Sequence, residues 1–309
     1  MRIAVMGTGA VGGYFGAKLT AAGNDVVFIT RPRHLPALRR NGLRIESSTG
    51  DVYVRNALFT DSPADAGMVD LVLFCVKSYD TTEAAAALAP MITKGTAILS
   101  LQNGIDNPGK IAVLWGTERT LAGVVYIGAE ISAPGVIQHS SGGKIVLGPI
   151  SDHAAETAQS VEQTLARAAI PCAISSAIEQ VQWAKLLWNA PFCAISCLTR
   201  STVREIVESE ALTNLVRDCM KEVRAAARTR GIDLKTELFD QTLAFSEGLG
   251  DFKPSMLQDL EAGKPLEYDA LNGFVLRLLD QAGEQAPINK VFHSTLSFLD
   301  KRLRQEASR

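Results

Sequence analysis

The sequence predicts an α/β protein in which an N-terminal Rossmann-type, doubly wound sheet is followed by a C-terminal all-helical domain. A glycine motif directly follows the first apolar run, and short apolar runs then alternate with helical patterns as far as residue 175. After Ile178 the strand patterns stop and long helical patterns take over. We therefore expect two domains, at residues 1–176 and 177–309, with the mixed α/β domain first.

Composition narrows the classes of function. With 47% apolar and 21% charged residues, the 309-residue chain has the composition of a globular protein with a sizeable core. A formal net charge of -2 gives no reason to expect nucleic acid or an anionic membrane as a partner. No apolar run approaches the length of a membrane span, and a strand beginning at Ile3 leaves no room for a signal peptide.

The cysteines and histidines argue against disulfides and against a metal site. The five cysteines are odd in number and include no C-x-x-C pair, which favours a reducing compartment. The four histidines are scattered without the spacing of metal ligands. We therefore expect a cytoplasmic protein without a bound metal.

The first strand and the turn after it predict a dinucleotide site. The apolar run 3–6 is typical of a buried parallel strand, and the next six residues read G-x-G-x-x-G before a helix and a second strand at 25–29. Gly7 permits a tight turn, Gly9 permits close approach of a pyrophosphate, and Gly12 lets the helix lie close to the strand. The alternative is a glycine turn that binds no ligand. The predicted cofactor-binding residues here are Gly7, Thr8, Gly9, Ala10, Val11 and Gly12.

Arg31 favours NADP over NAD. Folds that prefer NAD usually carry an acidic residue after the second strand, where it binds the ribose 2′-hydroxyl, but this chain has Thr30 and Arg31. A guanidinium can pair with a 2′-phosphate that a carboxylate would repel. The alternative is that Arg31 and Arg33 are solvated loop charges.

Further strands and helices complete the first half. The predicted elements are a hairpin of 43–45 and 52–54 with its turn at 47–51, a strand at 70–76, a helix at 81–88, a strand at 97–101, antiparallel runs within 124–147 with glycine turns at 135 and 140–143, a helix at 155–169 and a strand at 172–175. Lys77 and Asn103 follow two of these strands directly. Because ligands of open α/β sheets bind beyond the carboxyl ends of strands, both are candidate site residues, although loop capping would explain either one alone.

The second half contains helical patterns at roughly 178–198, 203–230 and 267–283. Lys185, Asn189 and Cys193 are four residues apart and therefore share one helix face, among apolar neighbours. A lysine here is either a surface residue with a buried stem or a partly desolvated proton donor, and the residues alone leave both open. For Glu267 and Ser255, local roles explain the pattern: an acid in a first helical turn, and an N-cap after Pro254.

The combined motifs resemble the ketopantoate reductase family over nearly the whole chain. The matching segments are 7–13 (GTGAVGG), 76–77 (VK), 102–104 (QNG), 185–189 (KLLWN), 254–259 (PSMLQD), 267–269 (EYD) and 272–273 (NG). The resemblance implies a Rossmann domain, a helical domain, a cleft between them, and NADPH-dependent reduction of the 2-keto group of ketopantoate to pantoate in pantothenate biosynthesis.

The resemblance also implies roles for single residues. It implies a catalytic lysine at Lys185 and a substrate-binding glutamate at Glu267. The other implied substrate contacts are Asn103, Asn189, Ser255 and the position of Cys193, and the other implied cofactor contacts are Arg31, Lys77 and Asn103. In the family pattern an asparagine followed by proline stands where this chain has Cys193 and Ala194, and Val203 replaces a further asparagine. These departures leave the reduction intact but open the identity of the 2-keto acid.

We therefore expect an NADP(H)-dependent oxidoreductase, a 2-dehydropantoate 2-reductase with Lys185 as general acid. The alternatives are a reductase of a different 2-keto acid on the same scaffold and a non-catalytic NADP-sensing protein. The expected partner is a small-molecule 2-keto acid. The oligomeric state is left open, with a homodimer as one option.

Overall fold

The computed structural model describes residues 1–307, which pack as two compact units, Met1–Glu179 and 180–307. The division falls within one long helix, Ile178–Thr199. The domain boundary that we place after residue 176 stays a prediction.

The first unit is built around one sheet of ten strands. In chain order these are β1 Arg2–Met6, β2 Asp25–Ile29, β3 Leu43–Ser47, β4 Val52–Val54, β5 Leu58–Thr60, β6 Leu71–Phe74, β7 Ala97–Ser100, β8 Thr120–Ala133, β9 Val136–Pro149 and β10 Cys172–Ile174. Their order across the sheet is β4-β3-β9-β8-β7-β6-β1-β2-β5, with β10 beside β9. The neighbouring strands β8, β7, β6, β1, β2 and β5 are all parallel, and β1 pairs with β6 on one side and with β2 on the other. The chain therefore reverses its winding direction next to β1, where ligands of such sheets bind.

Helices cover both faces of this sheet. The helices of the first unit are α1 Ala10–Ala21, α2 Leu35–Asn41, α3 Thr81–Ala86, α4 Asn107–Trp115 and α5 Ala155–Arg167. Alternate residues of β1 enter two separate cores: Ile3 and Val5 pack with Phe15 of α1, whereas Ala4 packs with Ala85 of α3. Burial on both faces is why these strands read as continuous apolar runs.

The segment predicted as short runs is one long antiparallel hairpin. β8 and β9 each span 14 residues and are joined at the predicted turn around Gly135. The prediction of a second turn at 140–143 is wrong, because this stretch lies inside β9. Ser140 and Gly143 are extra residues at two irregularities in the pairing, so the strand absorbs them as bulges and continues.

The second unit is helical. Its helices are α6 Ile178–Thr199, α7 Val203–Glu208, α8 Glu210–Thr229, α9 Glu237–Glu247, α10 Ser255–Glu261, α11 Phe274–Gln281 and α12 Pro287–Ala307. The predicted helix at 203–230 is two helices, because Ser209 leaves the helical conformation and caps α8 by accepting a hydrogen bond from the Leu212 N–H. The predicted helix at 267–283 begins with a π-helical turn, Asp269–Gly273, before α11.

Candidate active site

The glycine turn after β1 has the geometry that its sequence predicts. Gly7 has φ +102, and a Cβ built there would lie 2.8 Å from the Val76 backbone nitrogen. A Cβ on Gly12 would clash with the Gly7 carbonyl oxygen. By contrast, apart from Gly9 and its two chain neighbours, no atom of the described residues lies within 4 Å of a Cβ built on Gly9. Gly7 and Gly12 are therefore required by packing within the protein, whereas Gly9 leaves space open beside the helix N-terminus.

The turn is fixed to the end of β2 and leaves donors for a ligand. The backbone nitrogens of Gly7 and Thr8 donate to the Ile29 carbonyl at 3.1 and 3.0 Å, and the Thr8 hydroxyl donates to the same oxygen at 2.9 Å. The first N–H groups of α1, from Ala10 onward, have no carbonyl partner within the helix. Open space at Gly9 beside these donors fits the pyrophosphate of a dinucleotide.

Arg31 lies just after β2 and is ion-paired. Its Nη2 is 2.6 Å from Asp80 Oδ2, and both side chains remain partly exposed. Burial lowers the pKa of Arg31, but hydrogen bonds with Asp80 and Tyr79 outweigh it and raise the pKa above the ordinary value. Arg31 is therefore exposed and ion-paired, and its pairing with a 2′-phosphate stays a prediction.

Lys77 and Asn103 follow neighbouring parallel strands. β6 pairs with β7 in register from Leu71–Ala97 to Phe74–Ser100, so the two residues lie beyond the same sheet edge. Gly7 is at that edge too, since β1 also pairs with β6. The structure therefore brings together the glycine turn, Lys77 and Asn103, all within the first unit.

Lys185, Asn189 and Cys193 occupy one face of α6 in the second unit. Asn189 and Cys193 are 6% and 1% exposed, and the apolar neighbours Trp183 and Leu187 are fully buried. Lys185 as a whole is only partly buried, but its ammonium group lies among protein atoms. Burial lowers its pKa from 10.5 to about 8, while interactions with Cys193 and Glu267 oppose that change. Of the two open interpretations, this favours the desolvated proton donor over the surface lysine.

Glu267 stands immediately before the helical turn that leads into α11. It is 5% exposed, and its charge raises the pKa of Lys185, so the two groups interact electrostatically within this unit. Its carbonyl accepts a hydrogen bond from the Ala270 N–H at 3.2 Å. This burial adds to the first-turn acid that the residues alone favour, and the substrate-binding role that the resemblance implies for Glu267 stays a prediction.

Ser255 is exposed, whereas Val203 and Cys193 are buried. Ser255 is exposed and is the first residue of α10, whose N-cap is Pro254; the prediction of Ser255 as an N-cap is therefore wrong. Val203 is fully buried at the start of α7, and Cys193 is buried inside α6. Neither Val203 nor Cys193 offers the amide that the family pattern has there.

Sequence reasoning assigned no role of their own to several buried polar groups near the candidate residues. In the first unit these are Thr81, Gln102 and Asn107, which are at most 8% exposed. In the second, Asn272 is fully buried and donates to the Ala190 carbonyl of α6 at 3.0 Å. The sequence signal for these groups is a polar residue within an otherwise apolar or helical segment.

The described residues contain neither a candidate metal cluster nor a helix that could span a membrane. Within 1–307, no group of three or more His, Cys, Asp or Glu side chains could hold a metal ion. No helix in the same range is long and apolar enough to cross a bilayer.

Comparison with known proteins identifies the family. The pattern described as "Ketopantoate reductase PanE/ApbA" matches residues 3–152, and that of its C-terminal region matches residues 177–300. The chain belongs to the ketopantoate reductase family. A 2-dehydropantoate 2-reductase of Mesorhizobium japonicum is 31% identical over 299 residues, covering 90% of this chain and 91% of that protein. The family prediction is confirmed.

Solved structures of the family share this fold. A PanE/ApbA family ketopantoate reductase from Ralstonia eutropha JMP134 has a TM-score of 0.90 at 34% identity, covering 98% of this chain and all (100%) of that one. The 2-dehydropantoate 2-reductase from Geobacter metallireducens GS-15 has a TM-score of 0.91 at 32% identity, covering 96% and 99% of the two chains. The predicted fold class and enzyme class are confirmed, whereas the roles of single residues stay predictions.

Proposed function

We propose that this protein reduces the 2-keto group of 2-dehydropantoate (ketopantoate) with NADPH to give pantoate. The observation that carries the proposal is Lys185, whose ammonium group is desolvated, whose pKa is about 8, and which interacts with the buried Glu267. A group with a pKa near the working pH is suited to general acid catalysis. Membership of the ketopantoate reductase family supplies the substrate class.

The first unit would hold the cofactor. Backbone N–H groups at the start of α1 would bind the pyrophosphate beside Gly9, and Arg31 would pair with the 2′-phosphate that distinguishes NADPH from NADH. Lys77 would contact the cofactor near the reacting carbonyl. When bound, the cofactor supplies a hydride from its nicotinamide to C2 of the keto acid.

The second unit would supply the proton and most of the substrate contacts. Reduction places negative charge on the carbonyl oxygen, and Lys185 would donate a proton from its Nζ to that oxygen and later regain one from water. Asn103 and Asn189 would hydrogen-bond the substrate, while Ser255 would bind near its carboxylate. Glu267 would bind the substrate hydroxyl, because a carboxylate accepts hydrogen bonds. Its negative charge would also help to keep Lys185 protonated.

We also infer that the reaction takes place in the cytoplasm. None of the five cysteines, all of which lie within the described residues, forms a disulfide, and three of them, Cys193, Cys197 and Cys219, are buried. Free thiols are typical of a reducing compartment.

A second candidate function is reduction of a less polar 2-keto acid. Cys193 and Val203 are buried, apolar side chains where the family pattern has amides. Fewer amides would be available for the hydroxyl groups of ketopantoate, so the site would lose the hydrogen bonds by which it could favour ketopantoate over a less polar 2-keto acid.

The test is NADPH oxidation, followed by absorbance, with ketopantoate and with a set of smaller and more apolar 2-keto acids. The highest kcat/KM with ketopantoate supports the proposal, and a higher value with an apolar acid supports the second candidate. Cofactor binding without turnover of any acid would indicate an NADP-sensing protein instead.

Cys193→Asn tests the origin of any such preference. If Cys193 faces the substrate, the added amide should lower the KM for ketopantoate, with Cys193→Ser as a control of similar size. An unchanged KM for every acid would mean that Cys193 only packs. Because the site is closely packed, both variants should first be compared with the unmodified protein by thermal unfolding.

A further inference from the structure

We infer that Thr81, Gln102 and Asn107 are positioning residues, which hold the backbone at Lys77 and Asn103 in a fixed mutual arrangement. These three buried side chains form a continuous chain of hydrogen bonds, here called the relay, between the carbonyl of Val76 and the carbonyl of Asn103. The inference rests on the proposed function only in assigning Lys77 and Asn103 to the site.

Gln102 forms the first part of the relay. Its Nε2 donates to the Val76 carbonyl at 3.0 Å and to the Thr81 hydroxyl at 2.7 Å. Its Oε1 accepts from the Ser100 hydroxyl at 3.0 Å. Both amide protons and the amide oxygen of Gln102 are therefore engaged, so the side chain has one orientation that satisfies all three bonds.

Thr81 and Asn107 form the second part. The Thr81 hydroxyl lies 2.9 Å from Asn107 Oδ1 and 2.9 Å from the Ser78 carbonyl, and its single proton is shared between these two acceptors. Asn107 Nδ2 in turn donates to the Asn103 carbonyl at 2.6 Å. Through Thr81, the loop after β6 is thus connected to the loop after β7.

The position of the relay in the sheet explains why it is needed. The β6–β7 ladder ends at the pair Phe74–Ser100, followed by one bond from the Leu101 N–H to the Phe74 carbonyl. Lys77 and Asn103 lie beyond that point, where the chain leaves the sheet on both strands. The relay extends the connection between the two strands past the end of the ladder.

Burial makes the relay selective for one arrangement. Thr81, Gln102 and Asn107 are 1%, 8% and 0% exposed. Water has little access to replace a lost bond, so an arrangement that breaks one link leaves a buried polar group without a partner. Each loop is consequently held in the conformation that keeps every link.

Such positioning matters for a reductase because reacting groups must be aligned closely. A misplacement of about 1 Å at a catalytic group is able to lower turnover by roughly 10²-fold. A loosened relay would let the Lys77 and Asn103 loops shift independently of each other, whereas the glycine turn, which is hydrogen-bonded to the Ile29 carbonyl of β2, would keep its contacts with the cofactor.

The experiment compares Thr81→Val with Thr81→Ser. Valine keeps the shape of threonine and removes the hydroxyl, whereas serine keeps the hydroxyl. Thr96→Val is the matched control, because the Thr96 hydroxyl is equally buried, donates to the Val69 carbonyl at 2.6 Å, and lies at the opposite end of β7. For each folded variant one measures kcat with ketopantoate, NADP+ affinity by calorimetry, the unfolding temperature, and hydrogen exchange in 76–80 and 102–107.

We expect Thr81→Val to lower kcat about 10- to 100-fold and to speed hydrogen exchange in both loops, with NADP+ affinity changed less than about threefold. Thr81→Ser should restore kcat to within about threefold of the unmodified protein. Thr96→Val should lower the unfolding temperature without changing kcat or exchange in these loops.

Two results would overturn the inference: Thr81→Val with unchanged kcat, or a loss of kcat that Thr96→Val reproduces. Lys77→Ala and Asn103→Ala separate this from failure of the proposed function. If both of them lose turnover while Thr81→Val does not, the relay has no positioning role and the proposed function stands. If the unmodified protein does not reduce ketopantoate, the proposed function fails, and the hydrogen-exchange comparison still tests whether the relay holds both loops.

Discussion

The pH dependence of the reaction should follow the ionisation of Lys185. Burial lowers its pKa to about 8, and a general acid works only while it carries its proton. With this pKa the protonated fraction falls about tenfold between pH 7 and pH 9, whereas a lysine with the ordinary pKa of 10.5 would stay almost fully protonated. The rate should therefore be level below about pH 7 and decline tenfold per pH unit well above 8.

The assay is kcat/KM for ketopantoate at saturating NADPH, measured from pH 7 to pH 10. This quantity reports the ionisation of the enzyme before it binds the keto acid. Glu267→Gln provides the perturbation, because removing the carboxylate charge that raises the pKa of Lys185 should move the decline to lower pH. Weaker substrate binding in Glu267→Gln would lower the rate at every pH, but it would not change the pH at which the decline is centred. A decline centred near pH 10, or one that does not move in Glu267→Gln, would refute this reasoning.

Two further predictions concern the cofactor and stability. Arg31→Ala should weaken NADPH binding about 10- to 100-fold with little change for NADH, because a charge-assisted pair is worth roughly 1.5–3 kcal/mol. Affinities for both cofactors are measured by calorimetry, with Arg33→Ala as the control. Equal losses for both cofactors would contradict the assignment of Arg31 to the 2′-phosphate. Lys185→Met should stabilise the protein at pH 7 by roughly 1–3 kcal/mol, since the charged form is penalised in the folded state. The free-energy cost of the charged lysine is full below pH 8 and disappears as the pH rises toward 10.5. The increase in the free energy of unfolding of Lys185→Met, measured by urea unfolding, should therefore shrink over this range. An increase that stays constant would argue against a desolvated ammonium group.

Local stereochemistry explains which elements were predictable. The first strand, the glycine turn and α1 depend on contacts among nearby residues and on the backbone freedom of Gly7, so the sequence contains the full signal. The shared helix face of Lys185, Asn189 and Cys193 was also readable, since these residues are four positions apart in one helix. These local patterns suffice to place the candidate cofactor turn and the candidate acid.

Features that depend on distant pairing were not predictable. The 140–143 segment has the composition of a turn, and only its pairing with β8 makes it part of a strand. The strand at 58–60 has three residues and depends on β2 for its pairing. The Arg31–Asp80 ion pair joins residues 49 positions apart, and the relay exists only because β6 and β7 are neighbours.

The most direct test of the account is the turnover of Lys185→Ala with NADPH and ketopantoate, measured together with its affinity for NADPH. Loss of a general acid typically costs about 10²–10⁴-fold. We expect a loss of kcat of that size, with NADPH affinity nearly unchanged because the proposed cofactor contacts lie in the first unit. Near-normal kcat in this variant would contradict the assignment of Lys185 as the proton donor.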